Sequence, residues 1–292
     1  MNQIKYFLIS LRPYQLIKNL LVFAALIFSG NLFSLEALQK SMWMFIFFSM
    51  ASSGGYIIND WRDRKEDLFH PGKRNRPIAS GKLNPNLAIT GAVFLLVLSV
   101  IGTSQINIES LYIIISYISL TIFYSFFLKH IPILDLLIVA IGFVLRAVEG
   151  AMAITVVISP WLLVCTFFLA LFLIIGKRRH ELIILANEAH RHRFSLNYYD
   201  PVILDLMLAI MGASTMVTYT MYLLNSITQK PNFPIGMLLT IPFVILGLFR
   251  YFYLVFRKEL GGRPEHILLN DSAILTSTAG WFIVTVVSLC RF

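Results

Sequence analysis

The sequence predicts an all-α integral membrane protein of about nine spanning helices. Of its 292 residues, 58% are hydrophobic and 13% charged, against roughly half and a quarter in a soluble domain. Apolar runs of roughly 20 residues, the length that crosses a hydrocarbon core about 30 Å thick, recur along the whole chain. Lys and Arg gather in alternate connections between those runs, the pattern that orients helices in a bilayer. No separate soluble domain fits, so residues 1–292 are expected to form a single transmembrane domain.

The expected spans lie near residues 15–33, 41–58, 84–103, 108–128, 132–154, 160–176, 202–224, 234–256 and 271–290. The start, MNQIKYFLISLRPYQLIKN, is basic, but its first long apolar run begins at Leu20 and no small-residue cleavage site follows, so a first span is expected there and not a removable signal. The second span runs into an acidic segment. A basic loop then leads to the third, and the fourth meets the polar phase at Tyr124 and Lys129. The fifth carries Asp135, Arg146 and Glu149 inside an apolar run, the sixth ends at Lys177, and the eighth encloses Arg250. With the N-terminus inside, the external segments hold only Lys40, Lys230 and Arg291 of the 24 Lys and Arg. Apart from Arg146 and Arg250 the rest are cytoplasmic, which places the long charged segments 59–83 and 177–201 there too.

The net charge of +9 sits in short loops between apolar spans, so anionic lipid and phosphate are expected partners and nucleic acid is not. Cys165 and Cys290 fall in separate apolar runs without metal spacing and read as fillers. A P-loop, a dinucleotide-binding glycine fingerprint and a nucleophile elbow are absent from the sequence.

The chemistry is expected where the second span ends, in Asn59-Asp60-Trp61-Arg62-Asp63-Arg64-Lys65-Glu66-Asp67. At about 100° per residue, Asn59, Asp60, Asp63 and Asp67 share an arc of about 100°. Carboxylates crowded on one face repel unless a cation neutralises them, and hard oxygen ligands suit Mg²⁺ carrying substrate phosphates. The bland alternative is a solvated helix end laced with salt bridges to Arg62, Arg64 and Lys65. The loop that follows, His70-Pro71-Gly72-Lys73-Arg74-Asn75-Arg76-Pro77-Ile78-Ala79-Ser80-Gly81-Lys82, holds cations between turn formers. Lys73, Arg74 and Arg76 are candidate phosphate ligands, or a basic anchor against anionic headgroups.

The Asn59-Asp60-x-x-Asp63-x-x-x-Asp67 run at the end of a second helix resembles the first aspartate motif of the UbiA superfamily of intramembrane prenyltransferases, and the nine-span count agrees. Within it, Arg12-Pro13-Tyr14-Gln15-Leu16-Ile17-Lys18-Asn19, the His70 to Gly81 run, Tyr124 to Lys129 and Gly176-Lys177-Arg178-Arg179-His180-Glu181-Leu182 look most like the decaprenyl-phosphate phosphoribosyltransferase branch. The resemblance covers nearly the whole chain. It implies a UbiA-type bundle with a cytoplasm-facing polar cavity in the bacterial plasma membrane. It also implies transfer of a 5-phosphoribosyl group from phosphoribosyl pyrophosphate to a polyprenyl phosphate, with Mg²⁺, towards a lipid-linked arabinofuranose donor. The implied partners are those two substrates and membrane lipid, with homo-oligomer formation left open.

One departure bears on the substrate. Typical members carry a second aspartate cluster after the sixth helix. Here that segment offers Lys177, Arg178, Arg179, Glu181, Glu188, Arg191 and Arg193. If helical, it puts Lys177, Arg178, Glu181 and Glu188 on one face and Arg179 on the opposite one, towards headgroups or solvent. That composition reads as a phosphate clamp, or more blandly as a lipid-facing basic loop. Asp60, Asp63 and Asp67 are thus the expected catalytic group. With Asn59 they are the expected metal ligands, and Lys18, Tyr124, Lys129, Asp135, Lys177, Arg178 and Glu181 are further substrate-binding candidates. Arg146 and Glu149, three residues apart on the fifth span, are expected to neutralise each other. His190 and His192 form a lone His-x-His with little metal signal, and Gly54 and Gly55 read as close-packing positions. Two other functions remain open: prenyl transfer from a prenyl diphosphate to an aromatic acid, which would want the second aspartate cluster, and lipid-phosphate transport, which would need no metal-binding face.

Overall fold

The computed structural model describes residues 2–69, 72–185, 198–229 and 233–290, and among them the regular structure is entirely helical. His70, Pro71, Glu188, His190, Arg191, His192, Arg193, Lys230 and Arg291 lie outside the described residues. Helix α1 covers Asn2–Ser10, and a 3-10 helix, Pro13–Phe23, runs into α2, Ala24–Phe28. Then come α3 (Leu35–Arg62), the short α4 (Arg64–Asp67), α5 (Pro85–Ser104), α6 (Ile108–Phe126) and α7 (Leu134–Ala153). The remainder is α8 (Pro160–Leu185), α9 (Pro201–Gln229), a 3-10 turn at Ile235–Thr240, α10 (Ile241–Arg257), α11 (Pro264–Asn270) and α12 (Ser272–Cys290).

Among these, eight helices are long and apolar enough to cross a membrane, and the bent pair Asn2–Ser10 with Pro13–Phe28 raises the number to nine. The first span therefore starts earlier than the apolar run suggested and is broken, by 42°. Pro13 donates no backbone hydrogen bond and disfavours helical geometry at the residue before it, and Arg12 sits in the left-handed region with φ 55. The second span outgrows its expected 41–58. Ser34 accepts from the Ala37 N–H at 3.3 Å to start it, and the backbone N–H of Asp63 closes it on Asn59. The sixth runs on from 176 to Leu185, because Lys, Arg, Glu and Leu are good helix formers wherever the bilayer ends.

The chain forms two compact units, one with the described residues of Met1–Val157 and Asn187–Tyr198, the other with those of Ile158–Ala186 and Tyr199–Phe292. In the first unit α3 and α7 are the inner helices, each with 50% of its spanning window buried, against 22% for α5 and α6. Gly54 and Gly55 let α3 approach its neighbours, as the sequence suggested. A Cβ on Gly54 would stand 2.9 Å from Leu96, and one on Gly55 2.7 Å from Thr121. The tightest approach is Gly150 of α7, where a Cβ would lie 1.8 Å from the Val22 carbonyl oxygen on the 3-10 helix. In the second unit α8 packs on α9 and α10 on α12. Arg250 meets Asp271 through Nε to Oδ1 at 3.1 Å and Nη2 to Oδ2 at 2.9 Å, while Asp271 also accepts from the Ile274 N–H at the start of α12.

Gly150→Ala must push backbone against backbone, so it should cost about 3 kcal/mol or more. Gly142→Ala on the same helix meets nothing nearer than 3.5 Å and should fall within about 0.5 kcal/mol of wild type or gain slightly. Thermal unfolding of the two purified variants in detergent checks the contrast; equal melting temperatures would contradict the packing.

Candidate active site

The last turn of α3 delivers Asn59 and Asp60, Asp63 caps it, and α4 carries Asp67 one turn further on. The backbone bonds Asp63 N–H to Asn59 O (2.9 Å) and Asp67 N–H to Asp63 O (2.8 Å) keep the helical rotation nearly continuous, so the four residues stay on one side. Asp60 and Asp67 are buried, with side chains 4% and 6% exposed. Such crowding needs positive charge, and three segments of the same unit supply it. Arg76 Nη1 lies 2.9 Å from Asp60 Oδ1 and 2.7 Å from Asp67 Oδ2, bridging the two carboxylates. Arg12 also pairs with Asp60, and buried Lys129 pairs with Asp63. Burial pushes the Asp67 carboxyl above the ordinary carboxylate range, against the pull of Arg76.

Each cation is held by its own local structure. Arg76 rides on a loop pinned by Ile78 and Leu83, buried against Ile57, Ala88 and Ala92. Turns within it, Ser80 N–H to Arg76 O at 2.9 Å and Gly81 at φ +73, let the chain fold back. Helix α1 clamps the loop from outside: Gln3 donates to Lys82 O at 3.1 Å and accepts from Asn84 N–H at 3.0 Å. Arg12 reaches Asp60 from the break between α1 and the 3-10 helix. Its guanidinium lies 5.2 Å from the Tyr56 ring centroid, and Ser53 fixes the preceding Leu11 carbonyl at 3.0 Å. A left-handed non-glycine residue costs roughly 1–2 kcal/mol, which the ion pair and these contacts offset.

Among the described residues, no three acidic, His or Cys side chains come close enough together to hold a metal ion. The donor chemistry nevertheless fits a hard divalent cation. The Asn59 Oδ1 atom is buried with no hydrogen-bond partner, an uncommitted carbonyl oxygen beside the carboxylates. Arg76 already occupies a point of strongly negative potential between Asp60 and Asp67.

The other sequence candidates divide by place. Asp135 is fully buried in the first turn of α7, and Tyr124 is half-buried near the end of α6. Lys73 is half-buried, whereas Arg74 is exposed. Lys18 bonds Gln15 along the 3-10 helix. In the second unit, buried Arg178 holds Glu181 at 2.6 Å and Lys177 is half-buried, all on the last turns of α8.

Two expectations change, and one residue enters that the sequence left without a role. Arg179 does not point to headgroups or solvent: it pairs with Asp205 of α9 and stacks 4.5 Å from the Phe256 centroid on α10, because both helices pack on that side of α8. Arg146 and Glu149 do not neutralise each other. Arg146 bonds Asn19 Oδ1 (2.8 Å), Gly142 O (2.6 Å) and Tyr117 (2.9 Å), while both carboxylate oxygens of Glu149 are buried without a hydrogen-bond partner. Three residues along a helix bring side chains to the same face, but here the Arg146 guanidinium turns to Asn19 and Tyr117 on other elements. Arg12 received no role from the sequence, although a cation directly before proline in an apolar segment was the available signal.

The sequence model of the UbiA prenyltransferase family matches residues 20–182. The chain is 32% identical over 289 residues to a decaprenyl-phosphate phosphoribosyltransferase of Corynebacterium glutamicum, covering 96% of this chain and 85% of that protein. A protein of the same name from Mycobacterium tuberculosis is 32% identical over 288 residues, covering 97% and 93%. Among solved structures, a UbiA homolog from Archaeoglobus fulgidus bound to GPP and Mg²⁺ matches with a TM-score of 0.72 at 20% identity, over 98% of this chain and 97% of that one, a likeness of fold.

Removing the bridging cation should make the acidic face a stronger trap for divalent metal. Arg76→Gln is expected to raise Mn²⁺ affinity, read by electron paramagnetic resonance, while lowering turnover; weaker Mn²⁺ binding would show that Arg76 organises the face instead of competing for it. In the second unit, Arg179→Ala and Asp205→Ala should each lower the unfolding temperature by the equivalent of about 1–3 kcal/mol. The double variant should fall short of their sum, and strict additivity would mean that the pair contributes nothing.

Proposed function

The chain belongs to the UbiA prenyltransferase family, and on that premise we propose that it moves a 5-phosphoribosyl group from phosphoribosyl pyrophosphate to a polyprenyl phosphate. The observation that carries the choice of donor is on α8. There Arg178 is buried and charge-paired with Glu181, beside Lys177, in the segment where the resemblance to prenyl diphosphate enzymes calls for acids. A phosphoribosyl donor brings a 5-phosphate in addition to its pyrophosphate, and the acceptor brings another phosphate; cations suit those extra anions. Relatives that match nearly the whole chain are named decaprenyl-phosphate phosphoribosyltransferases, which supports the same reading.

In this mechanism Asn59, Asp60, Asp63 and Asp67 would hold Mg²⁺, which would supply positive charge to the leaving pyrophosphate. Arg76, with Lys73 and Arg74 on the same loop, adds positive charge where the leaving group becomes more anionic. Lys129 holds Asp63 in place, and Arg12 does the same for Asp60. The C1–O bond to pyrophosphate breaks with its electron pair going to the leaving oxygen. A phosphate oxygen of the acceptor then forms the new bond to C1 from the opposite face, inverting that centre. The acceptor is an anion at neutral pH, so no general base is needed, and positioning supplies much of the rate. Lys18, Tyr124, Asp135, Lys177, Arg178 and Glu181 are assigned to binding phosphates and ribose hydroxyls. The product is a phosphoribosylated lipid, formed at the cytoplasmic face of a bacterial plasma membrane and feeding an arabinofuranose donor for cell-envelope glycan.

Membranes supplied with labelled phosphoribosyl pyrophosphate and polyprenyl phosphate should yield a labelled phosphoribosyl lipid and pyrophosphate, and neither without the acceptor. Asp63→Asn or Asp67→Asn should lower turnover by at least about a hundredfold at unchanged membrane abundance, as should excess chelator. Lys177→Glu or Arg178→Glu should lower kcat/KM about ten- to hundredfold. Prenylated aromatic acid as the sole product would overturn the donor, and full activity in the asparagine variants would remove the metal face.

A further inference from the structure

We infer that Arg146 is a seat for the phosphate group of the lipid acceptor, set in the membrane beneath the acidic face of the first unit; the inference rests on the acceptor proposed above. Arg146 lies on α7 and is 4% exposed. A cation this deep in a spanning helix is costly unless something anionic offsets it. Among the described residues no carboxylate does. Its contacts are the neutral acceptors Asn19, Gly142 and Tyr117, and ring centroids of Phe48, Tyr117 and Phe143 at 5.2, 5.0 and 5.2 Å. Amide, carbonyl, hydroxyl and ring faces orient a guanidinium and stabilise it, but they leave its full positive charge in place. Of its N–H donors, Nε, one on Nη1 and one on Nη2 are spent on those contacts, so each terminal nitrogen keeps a second N–H. A paired donor of this kind matches two oxygens of a phosphate.

The position suits a lipid phosphate. Asn19, which accepts from Arg146, donates to Ser52 Oγ of α3 at 3.1 Å and to Ser49 Oγ at 3.0 Å. Ser52 precedes Asp60 by two helical turns, about 12 Å along α3, so the Arg146 network lies on the membrane side of the acidic face, in the same unit. The phosphate of a lipid arriving from the bilayer must stop on that side to meet the donor's C1. A second phosphate there would be repelled by the acidic face, and the cations paired with its carboxylates are committed to them: Arg12 and Arg76 to Asp60, Lys129 to Asp63. Glu149, three residues along, does not bond to Arg146.

Thermal unfolding of the full chain in detergent, with no donor present, tests the binding step apart from the reaction. Polyprenyl phosphate should raise the melting temperature of wild type, polyprenol of the same length and inorganic phosphate should not, and Arg146→Gln should abolish the rise. In turnover, Arg146→Lys, which keeps the charge and loses the fork, should raise KM for the acceptor about ten- to hundredfold while KM for the donor stays. Tyr117→Phe serves as a structural control, because it cuts one contact of the network and keeps the charge. If Arg146 merely knits helices together, Tyr117→Phe and Arg146→Lys lower stability together and the acceptor KM does not move selectively. That result, an equal melting-temperature rise in Arg146→Gln, or no rise in wild type overturns the assignment. A rise with inorganic phosphate alone overturns the lipid as its ligand. If the phosphoribosyl donor proves wrong while the rise with polyprenyl phosphate still depends on Arg146, the failure lies with the donor and not with this site.

Discussion

The Arg76 guanidinium stands between Asp60 and Asp67 and satisfies both, and much of the first unit can be understood as what that contact requires. Three carboxylates within two turns of helix are mutually repulsive, and burial of Asp60 and Asp67 strips away the water that would screen them. Positive charge must come from outside the helix. It comes from three points distant in sequence, Arg12, Arg76 and Lys129, so the neutralised acidic face is assembled from the break after α1, the loop after α4 and the turn after α6. An apolar anchor, Ile78 and Leu83 against Ile57 of α3 and Ala88 and Ala92 of α5, holds the loop that carries Arg76 in position.

The break at Arg12-Pro13 follows from the same requirement. A continuous first helix would carry Arg12 along its axis; the left-handed residue and the 42° bend turn it onto Asp60. Local strain is offset by the ion pair, by the Tyr56 ring and by the Ser53 bond to Leu11. Strained, non-glycine backbone of this kind concentrates at functional sites because only a dense set of contacts can hold it.

In the first unit Arg12, Arg76 and buried Lys129 pair with acids, so Arg146 differs from its neighbours there as well as from the cations of the second unit. In the second, Arg178, Arg179 and Arg250 each have an acid, Glu181, Asp205 and Asp271, and these pairs tie turns and helices together. In the first, Arg146 is surrounded by neutral dipoles and aromatic faces. Both arrangements satisfy hydrogen bonds, but only the neutral surroundings of Arg146 leave a net charge available to a guest.

The sequence alone determined the membrane class, the number of spans and the acidic motif, because bilayer thickness and helical rotation are fixed lengths and angles that any apolar run or i, i+4 spacing must obey. Close packing at Gly54 and Gly55 was legible for the same reason. Pairing was not. That Arg12 answers Asp60, that Lys129 answers Asp63 and that Arg179 turns to Asp205 depend on segments 48, 66 and 26 residues apart meeting in space. Helical spacing likewise put Arg146 and Glu149 on one stripe, but their neighbours on other helices separated them. Periodicity tells which face of a helix a side chain occupies; only the packing of the neighbouring helices decides which group it finds there.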